Sequence, residues 1–395
     1  MELKDLARCF SKIFGVDETE SMQFYFAPGR INLIGEHIDY NGGFVFPAAI
    51  TFGTYAAVTT RSDGKVCLYS GNFADDGVIS FDLTNLTKLE NENWAVYVKG
   101  VIDVFIKAGH SVKQGFNAYI EGNIPNGAGL SSSASLEVLV GEIIADLNDL
   151  SVDGIQKALL GQKAENEYVG VNCGIMDQFA IAMGQHNKAI KLNTDNLNYE
   201  YADCDLQDYQ ILIMNTNKRR GLSDSKYNER RAECDEAVAS LKTKVDINYL
   251  CDLTVAEFEQ VADVLVSENI LKRARHAVTE NERVKLAISA LASGDLPMFG
   301  ELLNQSHVSL RDDYEVTGLE LDTIVELAVA QDGVLGGRMT GAGFGGCAIA
   351  LVHNEKMDAV KDAVAAAYEA KIGYAPDFYI ASIGNGSRIL GEYND

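Results

Sequence analysis

The chain has 395 residues, more than a single hydrophobic core usually serves, so two domains with a cleft between them are expected. Apolar residues make up 47% and charged residues 23%, with only five prolines, which is the usage of a folded protein without long extended linkers. The net charge of -24 repels polyanions and argues against nucleic acid or an anionic membrane surface as a partner, but a small phosphate-bearing ligand can still be held by local N–H groups and a cation.

The first residues, Met1 to Leu6, mix both charge signs and open an amphipathic helix, unlike a signal or transit peptide. No apolar run approaches the ~18 residues that span a bilayer. Seven cysteines are scattered without a C-x-x-C pair, as reduced thiols would be, and a cytoplasmic location is expected. Short apolar runs follow, Ala56 to Val58 and Val66 to Tyr69, punctuated by Ser62-Asp63-Gly64, so the first third reads as β-rich. From Leu136 the spacing changes: Leu136, Leu139, Val140, Ile143, Ile144 and Leu147 share one helix face. A second helix is expected from about Val152 to Tyr168. Tyr209 to Asn215 reads as a buried strand, and Asp224 to about Leu310 as helical. Leu321, Ile324, Val325 and Ala328 mark a further helix, leading into a glycine-rich turn and a strand from Cys347 to Val352. The class is α+β, with one domain over 1–200 and a second over 201–395.

Two segments carry chemistry. Pro125-Asn126-Gly127-Ala128-Gly129-Leu130-Ser131-Ser132-Ser133-Ala134-Ser135 lies directly before the periodic helix. Its glycines permit close backbone approach, and the helix start offers free N–H groups and a positive dipole end to an anion. It lacks the lysine of a Walker A loop, and three consecutive serines exceed what capping needs. Pro28 to Gly43 places an arginine, two carboxylates, a histidine and two amides within one glycine-interrupted run, with little to bury and much to offer a polyhydroxylated ligand. A polar loop with a satisfied Arg–Glu pair is the alternative there.

Pro28 to Gly43 resembles the galactokinase signature. Gly127 to Ser135 is similar to the ATP-binding motif of the wider family that also holds homoserine, mevalonate and phosphomevalonate kinases. Gly336 to Gly346 matches a third family element, and the resemblance extends over essentially the whole chain. It implies the two-domain GHMP kinase fold, an N-terminal part like ribosomal protein S5 domain 2 and a C-terminal ferredoxin-like α/β part, with the active site between them. It implies phosphoryl transfer from ATP to the anomeric hydroxyl of galactose, by a monomer. By the same resemblance Asp177 is the catalytic base with Arg30 beside it, and Mg²⁺ lies between Ser133 and Glu165. Sugar contacts carried over are Glu36, His37, Ile38, Asp39, Gly174 and Tyr227; nucleotide contacts are Ser70, Gly127, Ala128, Gly129, Leu130, Ser131, Ser132 and Ser133. Ile38 stands where relatives commonly carry Thr, and a packing change alone is expected. Asn217 to Leu222 is more basic than in many relatives and is read as surface charge, and the lone Trp94 receives no role. Two alternatives stay open: a kinase for N-acetylgalactosamine or arabinose, and a non-catalytic galactose sensor, whose relatives lack the serine-alanine pair present here as Ser133-Ala134.

Overall fold

A computed structural model describes residues 1–16, 21–90, 93–125, 129–218 and 223–392, with the backbone alone for 223–225. Its strands are β1 (Gln23–Asn32), β2 (Phe44–Val45), β3 (Pro47–Arg61), β4 (Lys65–Ser70), β5 (Ile79–Asp82), β6 (Gly115–Gly122), β7 (Lys188–Asn193), β8 (Tyr199–Asp203), β9 (Tyr209–Asn215), β10 (Val334–Thr340), β11 (Cys347–His353), β12 (Asp377–Ala381) and β13 (Arg388–Glu392). They form three sheets, in the orders β13-β1-β3-β6-β4-β5, β10-β11-β9-β12 and β2-β7-β8. The first sheet draws on residues 23–122 and is closed at one edge by β13, which pairs antiparallel with β1. All four strands of the second sheet come from beyond residue 208.

The helices are α1 (Leu3–Phe14), α2 (Ala95–Lys107), α3 (Ser132–Leu147), α4 (Gly154–Lys163), α5 (Met176–Met183), α6 (Ser223–Leu241), α7 (Val255–Val261), α8 (Glu268–Ala292), α9 (Leu296–Asp312), α10 (Leu319–Val329) and α11 (Met357–Ile372). On α1, Leu6, Ala7 and Phe10 bury against Phe24, Ala57 and Tyr119 of the first sheet. The sheet's other face carries α3, whose apolar stripe packs with α2 and with Ala27, Ala56, Val58 and Val66. A separate, larger core joins the second sheet to α8, α9 and α10 and reaches into the segment 31–50.

Strand Tyr209–Asn215 and the helix near Leu321 form as the pattern predicts. Four expectations change. The periodic helix begins at Ser132 rather than near Leu136, so the serines lie inside its first turn. Val152 to Tyr168 is not one α-helix: α4 ends at Lys163 and a π-helical turn runs over Ala164–Val169. Gly336 and Gly337 belong to β10 instead of a turn, because a residue without Cβ lets α9 press on the strand; a Cβ at Gly336 would meet the Gly300 carbonyl at 2.0 Å. Finally, Pro28 to Gly43 is almost wholly buried, since its polar groups pair with chain from the second half.

Candidate active site

A cavity of about 500 Å³ opens where β1, the start of α3, the start of α5 and the turn after β10 converge. Such a volume suits a small polar ligand together with part of a nucleotide. Arg30, near the end of β1, is 4% exposed and forks onto Asp177: Nε donates to one carboxylate oxygen at 2.8 Å and Nη2 to the other at 2.7 Å. Nη1 donates to the Gly129 carbonyl at 2.8 Å. A bidentate Arg–carboxylate pair fixes direction as well as charge, so the Asp177 carboxylate is held facing the cavity. Asp177 also lies in the first turn of α5, where the helix dipole favours an anion.

The three serines separate by role. Ser131 precedes α3 with φ 65 and donates its hydroxyl to Asp177 rather than capping the helix. Ser133 donates to Glu165 at 3.1 Å. Ser132 is exposed and lines the cavity with Gly129 and Leu130. The N–H groups of the first turn of α3 have no intrahelical partner and face the same region, which is an anion site by construction. Gly127 and Ala128 lie outside the described residues.

Glu165 reaches the cavity from the π-helical turn, and the extra residue of such a turn re-aims a side chain. Burial first, then the charge of Asp177, pushes its pKa up to about 6, against donors at Cys173, Ser133 and Gln178. Behind it, the Gln178 amide donates to Glu165 at 2.8 Å and to Glu137 at 2.9 Å. Burial, reinforced by Glu165, holds Glu137 well above the usual carboxylate range. A partly desolvated carboxylate beside a hydroxyl is a hard oxygen donor set, and it fits Mg²⁺, which takes few protein ligands and completes its shell with phosphate and water. Among the described residues no group of three or more His, Cys, Asp or Glu side chains is placed to hold a metal ion.

The cavity is also lined by Glu36, His37, Asp39, Gly174 and Tyr227. Burial, then the charges of Asp177 and Glu36, raises Asp39 to about 7. Its carboxylate lies against Gly174, where a Cβ would come within 2.0 Å of Oδ2, so glycine is required there. The Tyr227 ring sits 5.5 Å from those of His37 and Tyr40, forming an aromatic wall. The Glu36 carboxylate and both His37 ring nitrogens already have protein partners.

Two expected contacts are not brought to the cavity. Ile38 is fully buried and packs against Gly43, so its side chain serves the core. Ser70, at the end of β4, is buried and accepts from the Asn72 N–H. Pro125, at the head of the glycine-serine segment, lines the cavity, and so do Tyr97, Ile124, Val171, Cys173 and Met176, which no motif role covers. Nothing in their local pattern distinguishes them from core residues. Gly341 and Ala342 line it too, and their glycine-rich run was the available signal. Lys218 makes a half-buried pair with Glu320 at 2.8 Å and packs along Gly345, while Arg219 to Leu222 lie outside the described residues.

Three family models match the chain: the galactokinase galactose-binding signature over residues 8–60, the GHMP kinase N-terminal domain over 96–185 and the GHMP kinase C-terminal domain over 287–370. The chain is 54% identical over 386 residues to a galactokinase of Clostridium perfringens, covering 98% of this chain and 99% of that one. It is 55% identical over 381 residues to a galactokinase of Enterococcus faecalis, covering 96% and 98%. Among solved structures, Lactococcus lactis galactokinase complexed with galactose superposes with a TM-score of 0.96 at 53% identity, covering 98% and 99%. Methanococcus jannaschii mevalonate kinase shares the fold, with a TM-score of 0.66 at 17% identity over 92% of this chain and 98% of that one. With its signature segment matched and its whole length shared with such relatives, this chain belongs to the galactokinase family of GHMP kinases.

Proposed function

We propose that the chain transfers the γ-phosphoryl group of ATP to the anomeric hydroxyl of galactose, releasing galactose 1-phosphate and ADP. The observation that carries this is the fork of Arg30 onto Asp177 facing the Ser131–Ser133 turn across one cavity. It puts a proton acceptor, a fixed positive charge and an anion-binding helix start around one reacting centre. Full-length identity to galactokinases supports the choice of sugar.

In this reading the sugar lies against Asp39, Gly174 and Tyr227, with its anomeric hydroxyl at Asp177. The new oxygen–phosphorus bond forms as the bond from the γ-phosphorus to the β-bridging oxygen breaks, and the hydroxyl proton passes to Asp177. Arg30 orients that carboxylate and offsets negative charge accumulating on the transferring group. The turn Gly129–Ser133 and the start of α3 hold the nucleotide's phosphates. Ser133 and Glu165 would hold Mg²⁺, which would supply charge neutralisation for the phosphate oxygens. Every residue in these roles comes from one chain, so the site is complete without a second copy, which supports a monomer. We divide its domains between β8 and β9, at 204–208, and count β13 with the first domain. A cytoplasmic location is supported by seven free thiols and by the lack, among the described residues, of any helix long and apolar enough to cross a membrane.

Purified protein given ATP, Mg²⁺ and one sugar at a time tests the proposal by phosphorus NMR. Galactose 1-phosphate is the expected product. Turnover of N-acetylgalactosamine or arabinose with none of galactose overturns the substrate, and binding without turnover indicates a sensor.

A further inference from the structure

Glu36 and His37 are 305 positions from Gly341 and Ala342 in sequence, yet the two pairs interlock. One oxygen of the Glu36 carboxylate accepts from the Gly341 N–H at 2.7 Å and the Thr340 hydroxyl at 3.1 Å. The other accepts from the Asn32 amide at 3.0 Å, and the buried Arg338 guanidinium places its charge 3.1 Å from the first oxygen. His37 grips the next peptide. A carbonyl only accepts, so Nε2 donates to the Ala342 oxygen at 3.1 Å. Burial, aided by His276, lowers the imidazole to about 3, so the ring is neutral and carries a single N–H. Nδ1 therefore accepts from the Tyr40 hydroxyl at 2.7 Å, which lies 2.8 Å from that of Tyr314. His37 also has φ 61, a left-handed conformation that a non-glycine residue keeps only when its surroundings enforce it.

What these residues hold is next to the phosphates' proposed seat. Gly341 lies against Gly129, whose carbonyl oxygen is 2.7 Å from where a Gly341 Cβ would be. That same carbonyl accepts from Arg30. Movement of 340–342 would therefore release Gly129 and the turn into α3.

We infer that Glu36 and His37 form a clamp on residues 340–342 that sets the position of the Gly129–Ser133 turn, so that His37 is a positioning residue for the nucleotide site rather than a ring-nitrogen ligand of the sugar. The inference rests on the proposed role of Gly129–Ser133 as the phosphate turn. It explains why two residues of the sugar signature have their polar atoms committed to the far end of the chain.

Calorimetric titration of the full chain with Mg-ADP, and separately with galactose in the absence of nucleotide, tests it. His37→Asn keeps a residue that tolerates the left-handed backbone but is too short to reach Ala342. It is expected to weaken Mg-ADP binding about tenfold, as loss of a buried hydrogen bond does, and to weaken galactose binding by a clearly smaller factor. His37→Gln, which carries a donor at a similar reach, is expected to recover most of the loss. The reverse split, or equal losses for both ligands, overturns the clamp. If His37→Asn does not fold, Tyr40→Phe removes the donor that orients the ring; about threefold weaker Mg-ADP binding supports the clamp, and unchanged binding overturns it. Ser133→Ala separates the two ideas. Weakened Mg-ADP binding there, with none in the His37 variants, sinks the clamp alone, whereas unchanged Mg-ADP binding in Ser133→Ala sinks the phosphate-turn reading and the clamp with it.

Discussion

In the proposed reaction two requirements meet at Asp177: the carboxylate faces the sugar hydroxyl and must not wander. Arg30 satisfies the second with two hydrogen bonds and Ser131 with a third. Asp177→Asn keeps the shape but offers a poorer proton acceptor, so turnover is expected to fall by about 10² to 10⁴ while Mg-ADP affinity stays within about threefold, measured by steady-state kinetics and calorimetry. Asp39 makes a different demand, because it is held near 7 by burial whereas an unfolded chain leaves it near 3.8. Between those values the folded protein binds a proton that the unfolded one releases, so this residue's contribution to stability declines as pH rises from about 4 to about 7 and is flat above. Asp39→Asn removes the slope. Its melting temperature should exceed that of the parent at pH 8 and approach it at pH 5, while galactose affinity falls. Gly174→Ala should likewise weaken galactose, because the new methyl displaces the Asp39 carboxylate, with Mg-ADP affinity unaltered.

Three elements cooperate behind the cavity. The Gln178 amide on α5 donates both to Glu137 on α3 and to Glu165 on the π-helical turn, tying the three together with one group. Replacing it by leucine removes the donor to Glu137 and one of several donors to Glu165, a loss of about 1–3 kcal/mol at the carboxyl left unsatisfied. Gln178→Leu is therefore expected to lower the melting temperature and raise the Mg²⁺ concentration needed for half-maximal turnover. An unchanged Mg²⁺ requirement would show that Glu165 holds its place without Gln178. The π-helical turn explains why helical periodicity through residue 168 misjudges this region: the pattern continues, but one residue is accommodated as a bulge.

Across the whole molecule, the first sheet is completed by the last strand of the chain. Gln23 pairs with Glu392 and Phe26 with Arg388, and β13 covers an edge of β1 whose other end supplies Arg30. Ending the chain after Ser387 exposes that edge, and exposed edges recruit other strands. Such a truncation should melt lower and aggregate on warming, as light scattering would record; a soluble, fully active truncation would show that β1 is held by β3 alone. A charge network around the buried Arg273 also joins distant segments: Arg273 of α8 donates to Glu233 of α6 at 2.8 Å and to the more exposed Glu315, beyond α9, at 2.7 Å.

Much of this protein is legible in its residues taken in order. Alternation and helical spacing are local, so Tyr209–Asn215, the helix through Leu321 and the strand from Cys347 could be read directly. The glycine-serine turn and the signature with its arginine, histidine and two carboxylates announced their chemistry by composition. What no local pattern contains is partnership. That Ser131 turns to Asp177 instead of its own helix, that Ile38 and Ser70 leave the cavity, and that Glu36 and His37 reach residues 340–342 all depend on contacts between segments far apart in the chain. The sequence determined which groups are present and which short elements carry them; the tertiary structure decided which polar atoms remain free for a ligand, because burial obliges each donor and acceptor to find whatever partner the fold brings within reach.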